Sequence, residues 1–386
     1  MPKVYLGDVA KERKEICKGS KDGYPIVGLE HLVPEEITLT TWSEDSENSF
    51  SKMFHKGDVL FGRRRAYLKK AAVAPFDGIC SGDITVIEAD AEKIDPDLLP
   101  FIIQNDDLFD FAVGKSAGSL SPRVKWEHLK KYEFELPEKN RQRELSNLLW
   151  TMDATKRSYH ELISATDELV KSQFIEMFGL PFSEGWPVNG KFSDFTLKML
   201  KGPFGSDMKK TLFVEKGPET FKVYVQVNAI QQDETLGEYY ISKEYYDNKM
   251  HRFEVFPGEY LITCDGTLGK YIRLDSAMEP GVLSPSMLSL KLNEERIVPR
   301  FFETYWSLFI LDYLISKTRN TALVHLPSAK AIGNIDVVIP DMKAQIRFAK
   351  FAEQSDRSKF ELQQALSELT AIYKRIIADN LGKQEE

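Results

Sequence analysis

Two stretches of the chain carry apolar residues at alternating spacings of three and four. In the first, Leu145, Leu148, Met152, Tyr159, Leu162 and Leu169, with Thr155 and Thr166 between them, trace the a and d positions of a coiled coil. In the second, Phe348, Phe351, Leu362, Ala365, Leu369, Ile372 and Ile376 do the same, with Ser355 and Ser358 in the middle. Neither stretch contains proline, and each ends at a glycine, Gly179 or Gly382, suited to a helix C-terminus. The pattern predicts two helices of about forty residues, each about 60 Å long. The polar entries weaken the middle of each seam and help fix its register.

The two stretches are copies. Leu136-Pro137 followed by Gln142 matches Ile339-Pro340 followed by Gln345 at an offset of 203 residues, and the offset persists without a gap, placing Asp153 on Asp356, Lys156 on Lys359 and Phe174 on Ile377. Upstream, His55–Phe61 (HKGDVLF) resembles Phe256–Ile262 (FPGEYLI) at an offset of 201, with Lys69 falling on Lys270. A drift of two residues is an ordinary loop insertion, so both globular regions are expected to share a fold. The organisation predicted is a globular region (1–137), a spacer helix (138–181), a second globular region (182–340) and a second helix (341–386). If the helices pair antiparallel, the product has a pseudo-two-fold axis and two inverted globular regions. Short β-rich runs such as Ile84–Ile87 and Val337–Ile339 alternate with turns at Lys56-Gly57-Asp58 and Pro257-Gly258-Glu259, and helical stretches follow at 96–111 and 299–316. The fold class expected is α/β, mixed α+β.

A net charge of −8 argues against nucleic acid, which normally demands a basic surface. Binding depends on local clusters, however, and the chain has several. Arg63, Arg64, Arg65, Lys69 and Lys70 follow a strand; if the strand continues, Arg63, Arg65, Tyr67 and Lys69 share one face. Ser119, Arg123 and Lys125 lie at and after a turn that begins at Gly118. Lys201, Phe204, Ser206, Lys209 and Lys210 belong to a glycine-bearing loop whose backbone N–H groups could approach a phosphate. Lys270, Arg319, Asn320 and His325 complete the candidates. Phosphates attract such groups, and arginine can also fork onto guanine N7 and O6.

Candidate chemistry is sparse. Cys17, Cys80 and Cys264 are scattered, as are the six histidines, so no metal site is expected and the cysteines read as small buried hydrophobes. Gly114-Lys115-Ser116 has Phe109 where a P-loop needs its first glycine, and no Asn/Asp-Pro-Pro-aromatic segment of an adenine methyltransferase occurs. Asp58, Asp83 and Asp265 lie near glycines and read as turn formers. Pro340-Asp341-Met342-Lys343 lacks the spaced second acid of a nuclease. No run of apolar residues is long enough for a membrane span, and the N-terminus lacks a leader pattern, so a cytoplasmic location is expected.

Together, the Gly-Asp-Val-Leu segment at Gly57, the Lys-Gly-Pro-Phe-Gly-Ser segment at Lys201–Ser206, the Leu-Pro…Gln and Ile-Pro…Gln junctions and the Phe174–Gly179 helix end resemble the specificity subunit of type I restriction-modification systems. The resemblance covers nearly the whole chain and rests on the order of these motifs in a duplicated architecture. It implies two target recognition domains that read an asymmetric bipartite site on double-stranded DNA, joined by spacer helices. It also implies two modification subunits carrying S-adenosylmethionine, and restriction subunits using ATP and Mg²⁺, with no cofactor or catalysis in this chain. The rival reading, supported by the acidic balance, is a coiled-coil scaffold that binds only proteins.

Overall fold

The computed structural model describes residues 2–45, 47–118, 121–231, 237–318 and 325–381. Gly382, expected to end the second helix, lies outside them. The chain forms two compact units, Met1–Ile163 with Phe360–Glu386 and Ser164–Lys359, so both long helices are divided between units.

In the first unit, β1 (Ala10–Glu12), β2 (Val59–Gly62), β3 (Ala71–Val73) and β4 (Ile84–Ala89) form an antiparallel sheet in the order β1-β4-β2-β3. In the second, β5 (Thr196–Lys201), β6 (Tyr260–Thr263), β7 (Tyr271–Arg273) and β8 (Met287–Leu292) take the matching order β5-β8-β6-β7. A smaller sheet repeats too. Ile26–Val27 runs parallel to Gly78–Cys80, which pairs antiparallel with Lys52–Phe54. Its counterpart joins Thr220–Tyr224, Gly281–Leu283 and Glu254–Val255 in the same senses, and adds Phe213–Val214 and Tyr239–Ser242.

The turn before the central strand explains the recurring Gly-acid pair. Gly57 and Gly258 adopt φ of 91° and 89°, which a side chain would resist. The acid that follows is buried in each unit and is held by a cation from the first strand region. Asp58 accepts from Arg13 Nε and Nη2 at 2.7 and 3.1 Å and from the His55 N–H at 2.8 Å. Glu259 accepts from Lys198 Nζ at 2.9 Å and Ser289 Oγ at 2.6 Å. A buried carboxylate survives only with such partners. Asp58 therefore forms its turn as expected and also ties it to the sheet.

Three expectations need correction. The 96–111 helix is broken: Leu99–Ile103 stops at Gln104, and Asn105 caps a new helix, Asp106–Gly114, by accepting from the Asp107 N–H. The run at Val337 yields only the short strand Asp336–Val337. Cys80 and Cys264 are buried, but Cys17 is half-exposed.

The two long helices, α1 (Lys139–Phe178) and α2 (Met342–Leu381), have forty residues each. In the first unit the beginning of α1 (Leu145, Leu149, Met152) shares a core with the end of α2 (Tyr373, Ile377, Leu381) and with Phe101 and Leu98. In the second unit the end of α1 (Val170, Phe174, Phe178) meets the beginning of α2 (Phe348, Ala352), with the Phe174 ring 5.3 Å from Phe348 and 5.4 Å from Phe301. The helices are thus antiparallel within each unit.

Their seam differs from the predicted one at every second position. Leu145, Met152, Tyr159, Thr166, Phe348, Ser355, Leu362, Leu369 and Ile376 face inward as expected. Between them the inward residues are Leu149, Lys156, Ile163 and Val170 in α1, and Ala352, Lys359, Leu366 and Tyr373 in α2, each one position later than predicted. Leu148, Leu162, Leu169 and Ile372 are instead 45–54% exposed, Thr155 and Ser358 are exposed, and Phe351 and Ala365 are half-buried flanks. Apolar doublets such as Leu148-Leu149 and Ile372-Tyr373 satisfy either order of spacings. The globular core selects one, because it offers Phe101 to Tyr373 at 6.1 Å. Polar seam residues find partners: Lys359 Nζ lies 2.7 Å from Asp167 and Lys156 sits 4.6 Å over the Tyr373 ring.

Each helix is tied down in its first turn by a buried glutamine. Gln142 accepts from the Asp95 N–H at 2.8 Å and donates to the Pro137 carbonyl at 2.7 Å. Gln345 accepts from the Val298 N–H at 2.8 Å and donates to the carbonyls of Arg296 and Pro340 at 3.0 and 2.8 Å. Substituting Gln142→Leu strands an amide hydrogen and a carbonyl without water, so the unfolding free energy should fall by about 2–5 kcal/mol. Denaturant titration measures this, and an unchanged midpoint would refute the tie.

Asp153 and its duplicate Asp356 are held differently. Asp356 is gripped by Arg300 through Nε and Nη2 at 2.8 and 3.1 Å. Asp97 stands at the position matching Arg300, and Asp153 is paired along its own helix with Arg157 at 3.2 Å. Burial pushes the Asp153 carboxyl above the usual range, against the pull of Arg157 and Lys156. A raised carboxyl favours the protonated folded state, so its ionisation weakens folding as pH rises through the folded pKa. Asp153→Asn should therefore be more stable than the parent at pH 7, with the gap closing as pH falls towards about 4. Thermal melts across pH test this; a pH-independent gap would contradict it.

Candidate nucleic-acid interface

The arginine-rich segment of the first unit does not continue as a strand. β2 stops at Gly62, whose N–H donates to the Lys70 carbonyl at 2.8 Å. Arg65 and Lys69 then take left-handed φ of 54° and 50° on either side of a short helical turn, Ala66–Leu68. The expected shared face of Arg63, Arg65, Tyr67 and Lys69 is not formed, because the period of two ends with the strand. Arg64 and Arg123 converge on Asp83 instead, and Arg63 bears on it through its charge. Arg123 grips it through Nε and Nη2 at 2.7 and 3.2 Å, and Arg64 Nη1 lies 3.5 Å away while its Nε donates to Ser121 Oγ at 2.5 Å. The hydrogen bond from Arg123, against partial burial and with the nearby charges of Arg64 and Arg63, holds the Asp83 carboxyl below its usual range.

Arg65 and Tyr67 are exposed at the tip of this loop, and Lys125 is exposed nearby in sequence to Arg123. Lys69 and Lys70 are drawn aside, the first to Asp106 at 2.5 Å and the second to the Leu29 carbonyl at 2.7 Å. Ser119 lies outside the described residues. Asp83, which the sequence marks only as a turn former, is the group that organises the cluster. No spacing signal links it to Arg123, because 40 residues separate them.

In the second unit the loop after β5 is pinned closely to the sheet. Gly202 donates to the Met287 carbonyl at 2.8 Å, and a side chain there would meet the Ser284 carbonyl oxygen at 2.2 Å. The Asp207 and Met208 N–H groups bond to the Phe204 and Gly205 carbonyls. The amides of Gly202, Asp207 and Met208 are thus engaged within the protein. Phe204, Ser206, Lys209 and Lys210 are exposed. Lys201 lies near Asp265, whose carboxylate pairs with His325. Burial raises the Asp265 carboxyl, but hydrogen bonds from Ser286 and His325 with the charges of His325 and Lys201 outweigh it, and the group lies below its usual range.

Lys270 is exposed beside a turn in which Gln226 and Gln231 both donate to Thr267 Oγ1, at 3.1 and 3.3 Å. The sequence candidates do not include these two glutamines, and nothing in their spacing marks them. Arg319 and Asn320 lie outside the described residues. Among the described residues no cluster of three metal-binding side chains occurs, and no helix is long and apolar enough to cross a membrane. Burial raises the thiols of Cys80 and Cys264 to about 12 and about 11, far from a nucleophile's range.

Asp83 counters three arginines at once. Replacing it, Asp83→Asn, should strengthen binding to random duplex DNA and steepen the dependence of log affinity on log salt by about one unit. Fluorescence anisotropy at several salt concentrations reads both, and an unchanged slope would place the cluster away from phosphates.

No protein-family model matches the chain. The type I restriction enzyme EcoDI specificity subunit of Escherichia coli is 23% identical over 168 residues, an alignment covering 40% of this chain and 37% of that protein. The chain is thus matched to little more than a third of this curated relative's length. Among solved structures, a chain from work on complex assembly and conformational transition of the type I R-M system superposes with a TM-score of 0.62 at 17% identity, covering 98% of this chain and 97% of its own. The type I restriction-modification system S subunit from M. genitalium superposes with a TM-score of 0.56 at 14% identity, covering 100% and 96%. The fold of this chain is the fold of these proteins along nearly its whole length.

Proposed function

We propose that this chain reads DNA sequence as the specificity subunit of a type I restriction-modification complex. The observation that carries the reading is a frame repeated down to strand order and buried glutamine, with its basic loops built differently in each unit. One frame with two kinds of loop suits a protein that recognises two different half-sites. Arg63, Arg64, Arg65 and Arg123 would serve the first half, and Lys201, Phe204, Lys209 and Lys210 the second. The net charge of −8 is no obstacle, because binding needs only the local arginine and lysine clusters.

The chemistry would belong to partners in the same cytoplasmic complex. Two modification subunits would bring S-adenosylmethionine and methylate an adenine in each half-site of double-stranded DNA. Restriction subunits would use ATP and Mg²⁺. In this chain the helices α1 and α2 would serve as the ruler between the half-sites.

Sequencing of methylated adenines in cells with and without this gene tests the reading. The expected result is a bipartite motif that appears only with the gene; methylation that is absent or without sequence preference would refute it. Inserting seven residues in both α1 and α2 adds about 10 Å to each helix. The spacer between half-sites should then change while each half-site keeps its sequence, and an unchanged spacer would refute the ruler.

A further inference from the structure

Phe204 is 79% exposed, more than any other large apolar side chain among the described residues. Its exposure does not come from a loose loop. Pro203 before it and Met208 after it are buried, Gly202 is pressed against the Ser284 carbonyl, and Tyr245 donates to the Asp207 carbonyl at 2.7 Å. The loop is fastened on both sides of Phe204, and the ring is held outward between two anchors. Exposed Lys209 and Lys210 follow within six residues, and among the described residues neither is paired with a carboxylate. A rigid aromatic ring displayed beside unpaired cations suits a ligand that is anionic outside and stacked inside. Phosphate contacts would position such a ligand, and the ring would enter between its bases.

We infer that Phe204 is a wedge that inserts between adjacent base pairs of duplex DNA, with Lys209 and Lys210 on the flanking phosphates. The inference rests on the DNA-reading function and adds a mode of recognition to it. Insertion unstacks one step, so the second unit discriminates by how easily that step opens as well as by base edges. Flexible pyrimidine–purine steps would be favoured at a position where no hydrogen bond reads the base. The fixed loop makes this possible, because a mobile phenylalanine would fold back onto the protein.

The test uses the full chain with its modification subunits and duplexes selected from a random pool. 2-Aminopurine is placed in turn along the selected site. The expected result is a fluorescence rise at one step that disappears in Phe204→Ala, with affinity falling about 10–100-fold. Phe204→Trp should keep the rise. Leu197→Ala, another exposed apolar residue on β5, should change neither quantity. Selection of a defined sequence with no Phe204-dependent rise, or with full affinity in Phe204→Ala, overturns the wedge and leaves the DNA-reading function standing. Failure to select any sequence overturns both.

Discussion

A glutamine amide finds no water once it is buried, and in this protein Gln142 and Gln345 are buried where a globular fold becomes a long helix. Each must satisfy its oxygen and its nitrogen from the protein itself. The partners available are a backbone N–H that opens the helical segment of the globular region, at Asp95 or Val298, and the carbonyl of the preceding proline, Pro137 or Pro340. The geometry that satisfies both ends fixes the helix against the fold at its first turn. The rest of each forty-residue helix inherits that direction, since an α-helix propagates its axis from residue to residue.

From this junction outward the two units follow one plan. The Gly-acid turn, the strand order and the parallel pairing in the small sheet are common to both. The acid is Asp58 with Arg13 in one and Glu259 with Lys198 in the other, so the cation moves with the length of the acid. Departures concentrate in the loops. One unit gathers arginines around Asp83, and the other displays Phe204 from a pinned loop and adds two strands to its small sheet. A frame stabilised by its core and its buried ion pair tolerates such change, because loops on the surface carry few of the contacts that define the fold.

Much of this plan is legible in the order of the residues. The duplication, the two helices, the Gly-acid turns and the Leu-Pro…Gln junction are patterns within a few residues or at a constant offset. The seam is half legible. Leu145, Met152, Phe348 and Ile376 face inward as predicted, while Leu148, Leu162, Leu169 and Ile372 do not. An apolar doublet gives a helix two equivalent ways to turn, and the choice lies in what the globular region presents. The interface is least legible. Arg63 to Lys69 has the spacing of a strand face, but the left-handed residues Arg65 and Lys69 and the pull of Asp83 and Asp106 disperse it.

The residue order dictates that the chain is a repeated unit of mixed sheet and helix, that each copy ends in a forty-residue amphipathic helix, and where glycine and glutamine must stand. These follow from periodicity and from local backbone constraint, which act over a few residues and leave a trace in the order of the letters. Packing in three dimensions settles which member of each apolar doublet is buried, which arginines share a carboxylate, and that Phe204 is held outward. Those outcomes depend on contacts between residues as far apart as Asp83 and Arg123 or Gly202 and Ser284. The fold brings them together, and no pattern in the chain encodes the distance.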